Sequence, residues 1–396
     1  MRYAPSAEFR LVAACCAWPR SPERTKKISA AAASSIDWQR LVQIVERHRV
    51  AGLVHDGLTV ARVALRQDTA QTLADAAENV ARHGLKLAAE ALNVQRAFTA
   101  AGIPAVFLKG TTLSLLAYRN LTVKMSLDVD VLVPGESVKS ACDALRGNGY
   151  VRVAPLGDTE DDRFDGWIAT ANEATFQHAA RRTLVDLHWR LADDHSLTGR
   201  FTPLEARRAI EVSPGAALCT LGDEDLFTFL CLHGAHHAWS RLKWLADLHA
   251  WLAGKSDPEI ARLYRAAATR GVERAAMQAL LLCHAVFDLE FPASVLSDAR
   301  GDVALDWLVQ IALGAMGSNG RAAETQDRLL GGLDILFSQF LLSSSPRGWL
   351  AVVRASSIGY GDYRRFPLPR ILFFLYPLLR APSWIWRHST RMLKNH

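Results

Sequence analysis

The stretch that decides the fold runs from Phe107 to Val133 and reads FLKGTTLSLLAYRNLTVKMSLDVDVLV. An apolar run, Ile103 to Leu108, leads into the turn Lys109-Gly110-Thr111. The next segment, Thr112 to Tyr118, is compatible with a helix, and the stretch closes with SLDVDVLV from Ser126 to Val133. Apolar residues at alternate positions, bounded by turn residues, predict a buried strand in that last part.

Two carboxylates occupy alternate positions of this predicted strand, at Asp128 and Asp130. Side chains alternate between the two faces of a strand, so both carboxylates point the same way. They repel each other there, and both are costly to bury. A divalent cation with oxygen ligands relieves both costs. A strand end with solvated acids is the alternative, but the apolar residues Val131 to Val133 favour a buried strand and therefore a metal site.

The composition bounds the class of protein. The chain has 396 residues, which suggests two or three domains. Hydrophobic residues make up 50% and charged residues 22% of the chain, which permits a packed core and excludes global disorder. The six cysteines are scattered and form no CxxC pair, so neither a zinc ribbon nor a disulfide framework is indicated. A reducing cytoplasm fits this cysteine usage best.

Positive charge is concentrated at the carboxyl end of the chain. Nine Lys or Arg residues and a single acid, Asp362, lie between Leu341 and His396. The whole chain carries a formal charge of +6, so the rest of the sequence is slightly acidic. The basic character therefore belongs to the tail, and no DNA binding is predicted for the core.

The first residues carry little pattern. Residues 1–34 are Ala/Ser-rich and basic, which predicts a poorly ordered leader or a short helix. Leu11 to Cys15 (LVAAC) has a faint likeness to a lipoprotein cleavage site, but Glu8 and Arg10 leave almost no apolar run before it. No secretory signal is therefore predicted.

Residues 35–101 have the pattern of an N-terminal helical subdomain. Ser35 or Asp37 is placed to cap a helix whose apolar residues recur at helical spacing from Trp38 onward. Residues 69–101 predict one or two long helices, which Gly102-Ile103-Pro104 ends.

Residues 102–195 predict a small α/β core. Ser137 to Arg146 is a short amphipathic helix, and Ala174 to His178 and Thr183 to Trp189 read as two strands joined by the basic turn Arg181-Arg182. The order strand, helix, strand, helix, hairpin is typical of a mixed sheet.

Residues 196–342 predict a helical domain, and residues 343–396 form a basic, proline-interrupted apolar tail. The predicted helices of this domain are Asp223–Trp239, Leu242–Ala253, Pro258–Arg270, Glu273–Phe287, Val303–Met316 and Ala322–Leu342. The predicted fold class is α+β: a small mixed-sheet core, an N-terminal helical subdomain and a C-terminal all-helical domain.

The order of these motifs resembles that of a known superfamily. Lys109-Gly110, a helix, Asp128-x-Asp130 and then Asp186 on a later strand are similar to the DNA polymerase beta-like nucleotidyltransferases. More narrowly, the chain resembles bacterial uncharacterised nucleotidyltransferases with the pattern LKG…Y…R…DxDxLV…HW. The matching residues are Phe107–Gly110, Tyr118, Asp128–Val133 and Val185–Arg190. The resemblance covers about residues 35–290, including the helical stretch Leu232–Leu248.

Two positions depart from the family pattern. Lys124 stands where the family usually has Arg, which keeps the positive charge but loses the bidentate fork. Gly110-Thr111 stands where superfamily members often carry Gly-Ser, so the hydroxyl is kept.

The resemblance implies a role for each matching residue. Asp128 and Asp130 would bind two Mg²⁺ ions, with Mn²⁺ as a substitute, and Asp186 would complete the catalytic metal site and help deprotonate the acceptor hydroxyl. Gly110 and Thr111 would contact the phosphates at the amino end of a helix. The further candidates for neutralising phosphate charge are Lys109, Lys124, Arg190 and Lys243.

These roles predict a cytoplasmic, Mg²⁺-dependent nucleotidyltransferase. It would move a nucleoside monophosphate from an NTP, such as ATP, to a hydroxyl of a small molecule, a peptide or protein, or an RNA end. The nucleotide is expected between the core and the helices. The alternatives are a phosphoryl transferase that uses the same site and a non-catalytic binding or assembly protein that retains the fold.

The tail leaves a further alternative open. Ile371 to Leu379 is apolar and flanked by Arg370 and Arg380, but it is too short to span a bilayer. Basic residues beside apolar ones suit an interfacial helix on anionic lipid, and hence a peripheral membrane factor. A helix packed on the protein or docked on a partner is the other interpretation.

Several further side chains remain ambiguous in the sequence. His233 and His237 share a helical face, and Asp247 or His249 could complete a zinc site. The metalloprotease pattern, however, needs a Glu where Gly234 stands, so packing is favoured.

The sequence also allows two interpretations of three further residues. His188 suits either nucleotide contact or a packed core. Arg241 and Lys243 suit either the triphosphate or a solvated face.

Overall fold

The computed structural model describes residues 5–155, 161–191, 201, 203–298, 300–317, 331–343 and 346–357, together with Leu368, Leu372 and Leu375. The chain forms two compact units. The first comprises Met1–Arg96, Val106–Val129 and Phe201–Ser343, and the second comprises Ala97–Ala105, Asp130–Arg200 and Ser344–His396.

The first unit begins with α1 (Ala7–Cys16), α2 (Pro22–Ala32), α3 (Trp38–His48) and α4 (Ala51–Val60). Ser6, Ser21 and Asp37 cap the first three helices through their side-chain oxygens. Helix α1 packs on α2, α3 and α4. The predicted leader is therefore two capped helices here, because one face of α1 is apolar enough to be buried. Asp37, one of the two predicted caps, is confirmed.

The next helix, α5 (Gln67–Ala100), is followed by a turn at Gly102, whose φ is 69°. Within the first unit, α4 and α5 both closely approach the loop Leu121–Val123. A Cβ added to Gly52 would lie 2.5 Å from the carbonyl oxygen of Val123, and one added to Gly84 would lie 2.2 Å from that of Leu121. Two glycines on separate helices therefore position the loop that leads into the strand carrying Asp128.

The first unit continues with β1 (Val106–Phe107), α6 (Thr111–Tyr118), β6 (Arg208–Ser213) and β7 (Ala216–Thr220). Strand β7 pairs antiparallel with β6 and parallel with β1. The sequence pattern did not predict the β6–β7 hairpin, because residues from 196 onward were expected to be helical. Its first strand is half-buried at alternate positions and exposed at the others, so it lacks the continuous apolar run of a buried strand.

The remaining helices of the first unit are α9 (Asp223–His236), α10 (Leu242–Leu252), α11 (Asp257–Thr269), α12 (Glu273–Phe287), α13 (Ala293–Asp298), α14 (Val303–Gly317) and α15 (Gly331–Leu342). Helix α9 packs on α10, α11 and α12, and α10 also packs on α6. This packing agrees with the predicted helices that fall on described residues. Residues 322–330 of the last predicted helix lie outside them.

The second unit contains most of β2 (Asp128–Leu132), a 3₁₀ turn (Gly135–Ser137), α7 (Val138–Gly147), β3 (Tyr150–Ala154), α8 (Asp161–Thr170), β4 (Glu173–His178), β5 (Leu184–His188) and α16 (Pro346–Ser357). Strands β3, β4 and β5 form an antiparallel meander. The predicted hairpin with its Arg181-Arg182 turn is confirmed as β4 and β5.

The strands form one seven-stranded mixed sheet in the order β3-β4-β5-β2-β1-β7-β6. With the helices around it, this sheet confirms the predicted α+β class. Within the described residues, no helix combines the length and the apolar character needed to cross a bilayer. The predicted interfacial segment, Ile371–Leu379, lies outside the described residues apart from Leu372 and Leu375.

Candidate functional site

Strand β2 carries Asp128 and Asp130 as the sequence predicted. Asp130 is 2% exposed, and its neighbours Val129 and Val131 are also buried, whereas Asp128 is half-buried. Asp128 belongs to the first unit and Asp130 to the second. Both lie on β2, however, and the geometry of this strand sets the spacing of the two carboxylates. The prediction of a buried strand with two acids at alternate positions is confirmed.

Asp186 supplies the third carboxylate, from β5. It lies opposite Thr175 of β4, and the Thr175 hydroxyl donates a hydrogen bond of 2.7 Å to its Oδ1. Ligand oxygens of Asp128, Asp130 and Asp186 all lie within 4.8 Å of one another. In the part of the chain that the structure describes, this is the only group of three or more residues able to hold a metal ion.

The three carboxylates fit a divalent cation. All the donors are oxygens, which hard cations such as Mg²⁺ prefer. Three carboxylates so close together, one of them buried, repel one another unless a positive charge lies among them. The residues present therefore suit a metal ion of that class.

His188 connects this cluster to a fourth acid. Its Nε2 lies 3.3 Å from Oδ1 of Asp130, and its Nδ1 lies 3.2 Å from Oε2 of Glu173. Burial lowers the pKa of the imidazole, but Glu173, Asp130 and Asp186 outweigh burial and raise the pKa to about 9. We call Asp128, Asp130, Asp186 and Glu173 the acidic cluster.

The sequence pattern missed Glu173 because the predicted strand began one residue later, at Ala174. The predicted hairpin nevertheless indicated where Glu173 lies. Pairing β4 with β5 residue by residue across the basic turn places Glu173 opposite His188.

The glycine turn lies close to the strand that carries Asp128. Gly110 has a φ of 65°, and a Cβ there would lie 3.6 Å from the carbonyl oxygen of Asp128. Helix α6 begins directly after it at Thr111, and none of the described side chains caps this helix end. Backbone N–H groups at such an end are suited to bind an anion.

Both threonines after Gly110 are buried, with Thr111 8% exposed. Thr112 is fully buried, and its hydroxyl lies 3.3 Å from the carbonyl oxygen of Phe107 and 3.2 Å from that of Lys109. Thr220 of β7 donates to the same Phe107 carbonyl at 2.7 Å. Thr112 and Thr220 therefore stabilise the turn, and Thr111 remains the predicted phosphate contact.

Lys124 is held by a buried acid that the sequence indicated only as a zinc ligand. Its Nζ donates to the Ser126 hydroxyl at 3.0 Å and lies 3.4 Å from Oδ2 of Asp247 on α10. Tyr118 donates its hydroxyl to the other oxygen of Asp247 at 2.9 Å. The side chains of Lys124 and Asp247 are each 6% exposed, so this is a buried ion pair.

Lys109 and Lys243 lie near Lys124 in the first unit. Burial, together with the charges of Lys124 and Lys109, lowers the pKa of Lys243 to about 7, against the opposing effect of Asp247. We call Lys109, Lys124 and Lys243 the lysine cluster. Its positive charges repel one another, so a bound anion would reduce this repulsion.

His233 of α9 and His237, which directly follows this helix, pack beside the lysine cluster. The rings of His237 and Trp244 stack with centroids 4.8 Å apart, and His233 meets both edge-on. Burial and neighbouring positive charges lower the pKa of both histidines, that of His237 to about 3. They are neutral at pH 7, and among the described residues they join no group of metal ligands, which agrees with the packing interpretation.

Arg190 lies at the carboxyl end of α8 in the second unit. Its guanidinium donates to the carbonyl oxygens of Ile168 at 3.0 Å and Ala171 at 2.6 Å. The indole of Trp189 donates to the same two carbonyls. These bonds give Arg190 a structural function, and phosphate binding by Arg190 stays a prediction.

The sequence was compared with models of protein families and with curated proteins. A family model described as an uncharacterised nucleotidyltransferase matches residues 34–288. No curated protein matches the chain. The matched range is more than half of the sequence and contains the glycine turn, the lysine cluster and all four acids of the acidic cluster. The chain belongs to this uncharacterised nucleotidyltransferase family.

Proposed function

We propose that this protein is a nucleotidyltransferase that depends on a divalent metal ion and moves a nucleoside monophosphate from an NTP to a hydroxyl acceptor. The observation that carries the proposal is the grouping of Asp128, Asp130 and Asp186, whose ligand oxygens lie within 4.8 Å of one another. Membership of a nucleotidyltransferase family supports the same reaction class.

Asp128, Asp130 and Asp186 would hold Mg²⁺, with Mn²⁺ able to replace it. The bound ions would supply the positive charge that binds the phosphate oxygens and stabilises the charge developing on them during transfer. The resemblance noted above implies that two ions bind.

Asp186 would take the proton of the acceptor hydroxyl. The acceptor O–H bond breaks, the acceptor oxygen bonds to the α-phosphorus, and the bond from that phosphorus to the bridging oxygen breaks with release of pyrophosphate. Because Thr175 donates to Oδ1 of Asp186, one carboxylate oxygen is held in place, and the orientation of the carboxylate is fixed before the proton moves.

The donor phosphates would bind to residues of the first unit. Gly110 brings backbone N–H groups to an anion without interference from a side chain, and Thr111 adds a hydroxyl. The lysine cluster would neutralise the phosphate charge. The lowered pKa of Lys243 supports this function, since an anion would favour its charged form.

The partner and the location remain proposals from the sequence. The acceptor would be a hydroxyl of a small molecule, a peptide or protein, or an RNA end, in the cytoplasm, and no DNA is expected to bind. Peripheral membrane contact through the tail is tested by removing residues 343–396 and measuring binding to anionic liposomes. Unchanged binding would exclude the tail as the membrane contact.

Calorimetry with ATP, GTP, CTP and UTP, each with and without Mg²⁺, tests the donor site. We expect metal-dependent binding of at least one nucleotide, and its loss in Asp128→Asn/Asp130→Asn, which keeps the shape of both side chains but removes their charge. Glu136→Gln, an exposed acid after β2, is the control and should bind as the native chain does. Absence of nucleotide binding by the folded native chain, with Mg²⁺ or Mn²⁺, would refute the proposal in favour of a non-catalytic protein.

Analysis of the products separates the two transfer reactions. Nucleotidyl transfer releases pyrophosphate and adds a nucleoside monophosphate to the acceptor. Phosphoryl transfer releases a nucleoside diphosphate and adds a single phosphate. Phosphorus NMR of the reaction with candidate acceptors distinguishes these outcomes.

A further inference from the structure

Glu173, His188 and Asp130 form a line of contacts that runs inward from the surface of the second unit. The side chain of Glu173 is 50% exposed, that of His188 is 13% exposed and that of Asp130 is 2% exposed. The imidazole therefore joins an accessible acid to the buried acid of the candidate metal site.

The pairing of β4 with β5 produces this arrangement. Glu173 lies opposite His188, and Thr175 lies opposite Asp186. Residues two apart on a strand share a face, so β4 places one polar side chain against each functional residue of β5. Thr175 contacts a proposed metal ligand directly, whereas Glu173 acts one residue further away, through His188.

A backbone contact also ties His188 to β2. The N–H group of Val133 donates to the carbonyl oxygen of His188 at 3.0 Å. Because this bond joins the end of β5 to the chain just after β2, the ring is anchored beside Asp130. The position of the ring is therefore set by the sheet as well as by its two side-chain partners.

The chemistry of the three groups assigns the donor. Nε2 of His188 lies 3.3 Å from Oδ1 of Asp130, and Nδ1 lies 3.2 Å from Oε2 of Glu173. An ionised carboxylate can only accept hydrogen bonds, so in the bond to Asp130 the ring nitrogen is the donor. A carboxylate with one oxygen held by a donor has less freedom to rotate. Groups that orient metal ligands in this way commonly alter metal affinity by about 10–100-fold.

We propose that His188 and Glu173 are positioning residues for the divalent cation: His188 holds the Asp130 carboxylate in one orientation, and Glu173 holds the His188 ring. This inference rests on the metal site of the proposed function, but it does not depend on the identity of the donor or the acceptor. Neither residue is catalytic, because neither would contact the reacting atoms.

Binding of Mn²⁺ to the full chain without nucleotide, measured by electron paramagnetic resonance, tests the inference. We expect His188→Leu to weaken Mn²⁺ binding about 10–100-fold and Glu173→Ala to weaken it less. His188→Gln, whose side-chain amide can donate in place of Nε2–H, should recover part of the affinity. Glu136→Ala, which removes an exposed acid of the same unit, should bind Mn²⁺ as the native chain does.

The double variant gives a result that loss of packing alone would not produce. Since Glu173 acts through His188, Glu173→Ala should have no further effect on Mn²⁺ affinity once His188 is Leu. Should His188→Leu fail to fold, Glu173→Ala and His188→Gln carry the test, because Glu173 is half exposed and glutamine keeps the polar contact.

Two outcomes would overturn the inference, and they differ in what else they reject. If the native chain binds Mn²⁺ and folded His188→Leu binds it equally well, the positioning role is refuted while the metal site stands. If the native chain binds no Mn²⁺, the metal site of the proposed function fails, and the inference fails with it.

Discussion

The acidic cluster and the lysine cluster each surround a buried base with charged groups, but the charges have opposite signs. In the first, three carboxylates surround His188, and its pKa rises to about 9 although burial alone would lower it. In the second, burial and the neighbouring lysines act in the same direction, and the pKa of Lys243 falls to about 7. Burial lowers the pKa of a base in both places, so the sign of the surrounding charge decides the outcome.

Each cluster is also in contact with a residue of the opposite sign. His188 contacts two acids of the acidic cluster, and Asp247 contacts Lys124 of the lysine cluster. A partner of opposite charge makes it possible to keep like charges close together in a folded protein. Under the proposed function, the acidic cluster would bind a cation and the lysine cluster an anion.

The largest expected effect comes from removing a carboxylate of the acidic cluster. Asp128→Asn should lower turnover by about 10³-fold, because metal ions contribute several kcal/mol to the stabilisation of the transition state. The metal-free protein should be no less stable than the native chain, since the substitution relieves repulsion. Turnover with each NTP and thermal unfolding in EDTA measure the two effects. Retained turnover would contradict a metal-binding role for Asp128.

The second prediction concerns the loss of the ion pair between Lys124 and Asp247. Asp247→Asn should lower the free energy of unfolding by about 3 kcal/mol, because it leaves the buried Lys124 without its ion-pair partner. Adding Lys124→Met should recover much of this loss, since the unpaired charge is then removed as well. Urea unfolding at pH 7 measures both variants.

An exposed ion pair of the first unit supplies the control for that experiment. Glu78 and Arg82 on α5 lie 3.0 Å apart, with side chains 64% and 71% exposed. Glu78→Gln should change the free energy of unfolding by less than about 0.5 kcal/mol. An equal loss of stability in the Glu78 and Asp247 variants would show that burial does not increase the contribution of the Lys124–Asp247 pair to the free energy of unfolding.

The smallest expected effect, counted over one pH unit, is a dependence of stability on pH through Lys243. Its pKa is lowered from 10.5 to about 7 in the folded chain, so between these values the unfolded chain binds more protons. The free energy of unfolding should therefore rise from pH 7 to pH 10, by at most about 1.4 kcal/mol per pH unit. This contribution is lost as the pH falls through about 7.

Lys243→Met should remove that part of the slope, and urea unfolding at pH 7, 8 and 9 measures it. Lys86, an exposed lysine of α5, gives the matched control Lys86→Met, which should keep the native slope. The same slope in the native chain and in Lys243→Met would mean that the lysine cluster does not destabilise the charged form of Lys243.

Much of the candidate site could be predicted from local patterns. The alternation of Asp128 and Asp130 with valines determined that both carboxylates share a face of a buried strand. Gly110 after an apolar run determined the turn. Asp186 needed the resemblance to a family as well, because a single acid on a strand carries no local signal of function.

The contacts between distant segments could not be predicted in the same way. The helices α1 and α2 were read as a leader because residues 1–34 are rich in Ala, Ser and basic residues, and the packing of α1 on α2, α3 and α4 is what stabilises them. The β6–β7 hairpin depends on pairing with β1, more than a hundred residues earlier in the sequence. Such pairings are selected by packing and hydrogen bonding, which leave little periodic signal.

The sequence by itself therefore determined which side chains share a face, because strand and helix geometry repeat over a few residues. Only the tertiary structure decided which charges compensate one another. The bond from Tyr118 to Asp247 joins residues 129 positions apart, and His188 meets Asp130 across 58 positions. Charge compensation of this kind depends on distance in space, which chain order does not encode locally.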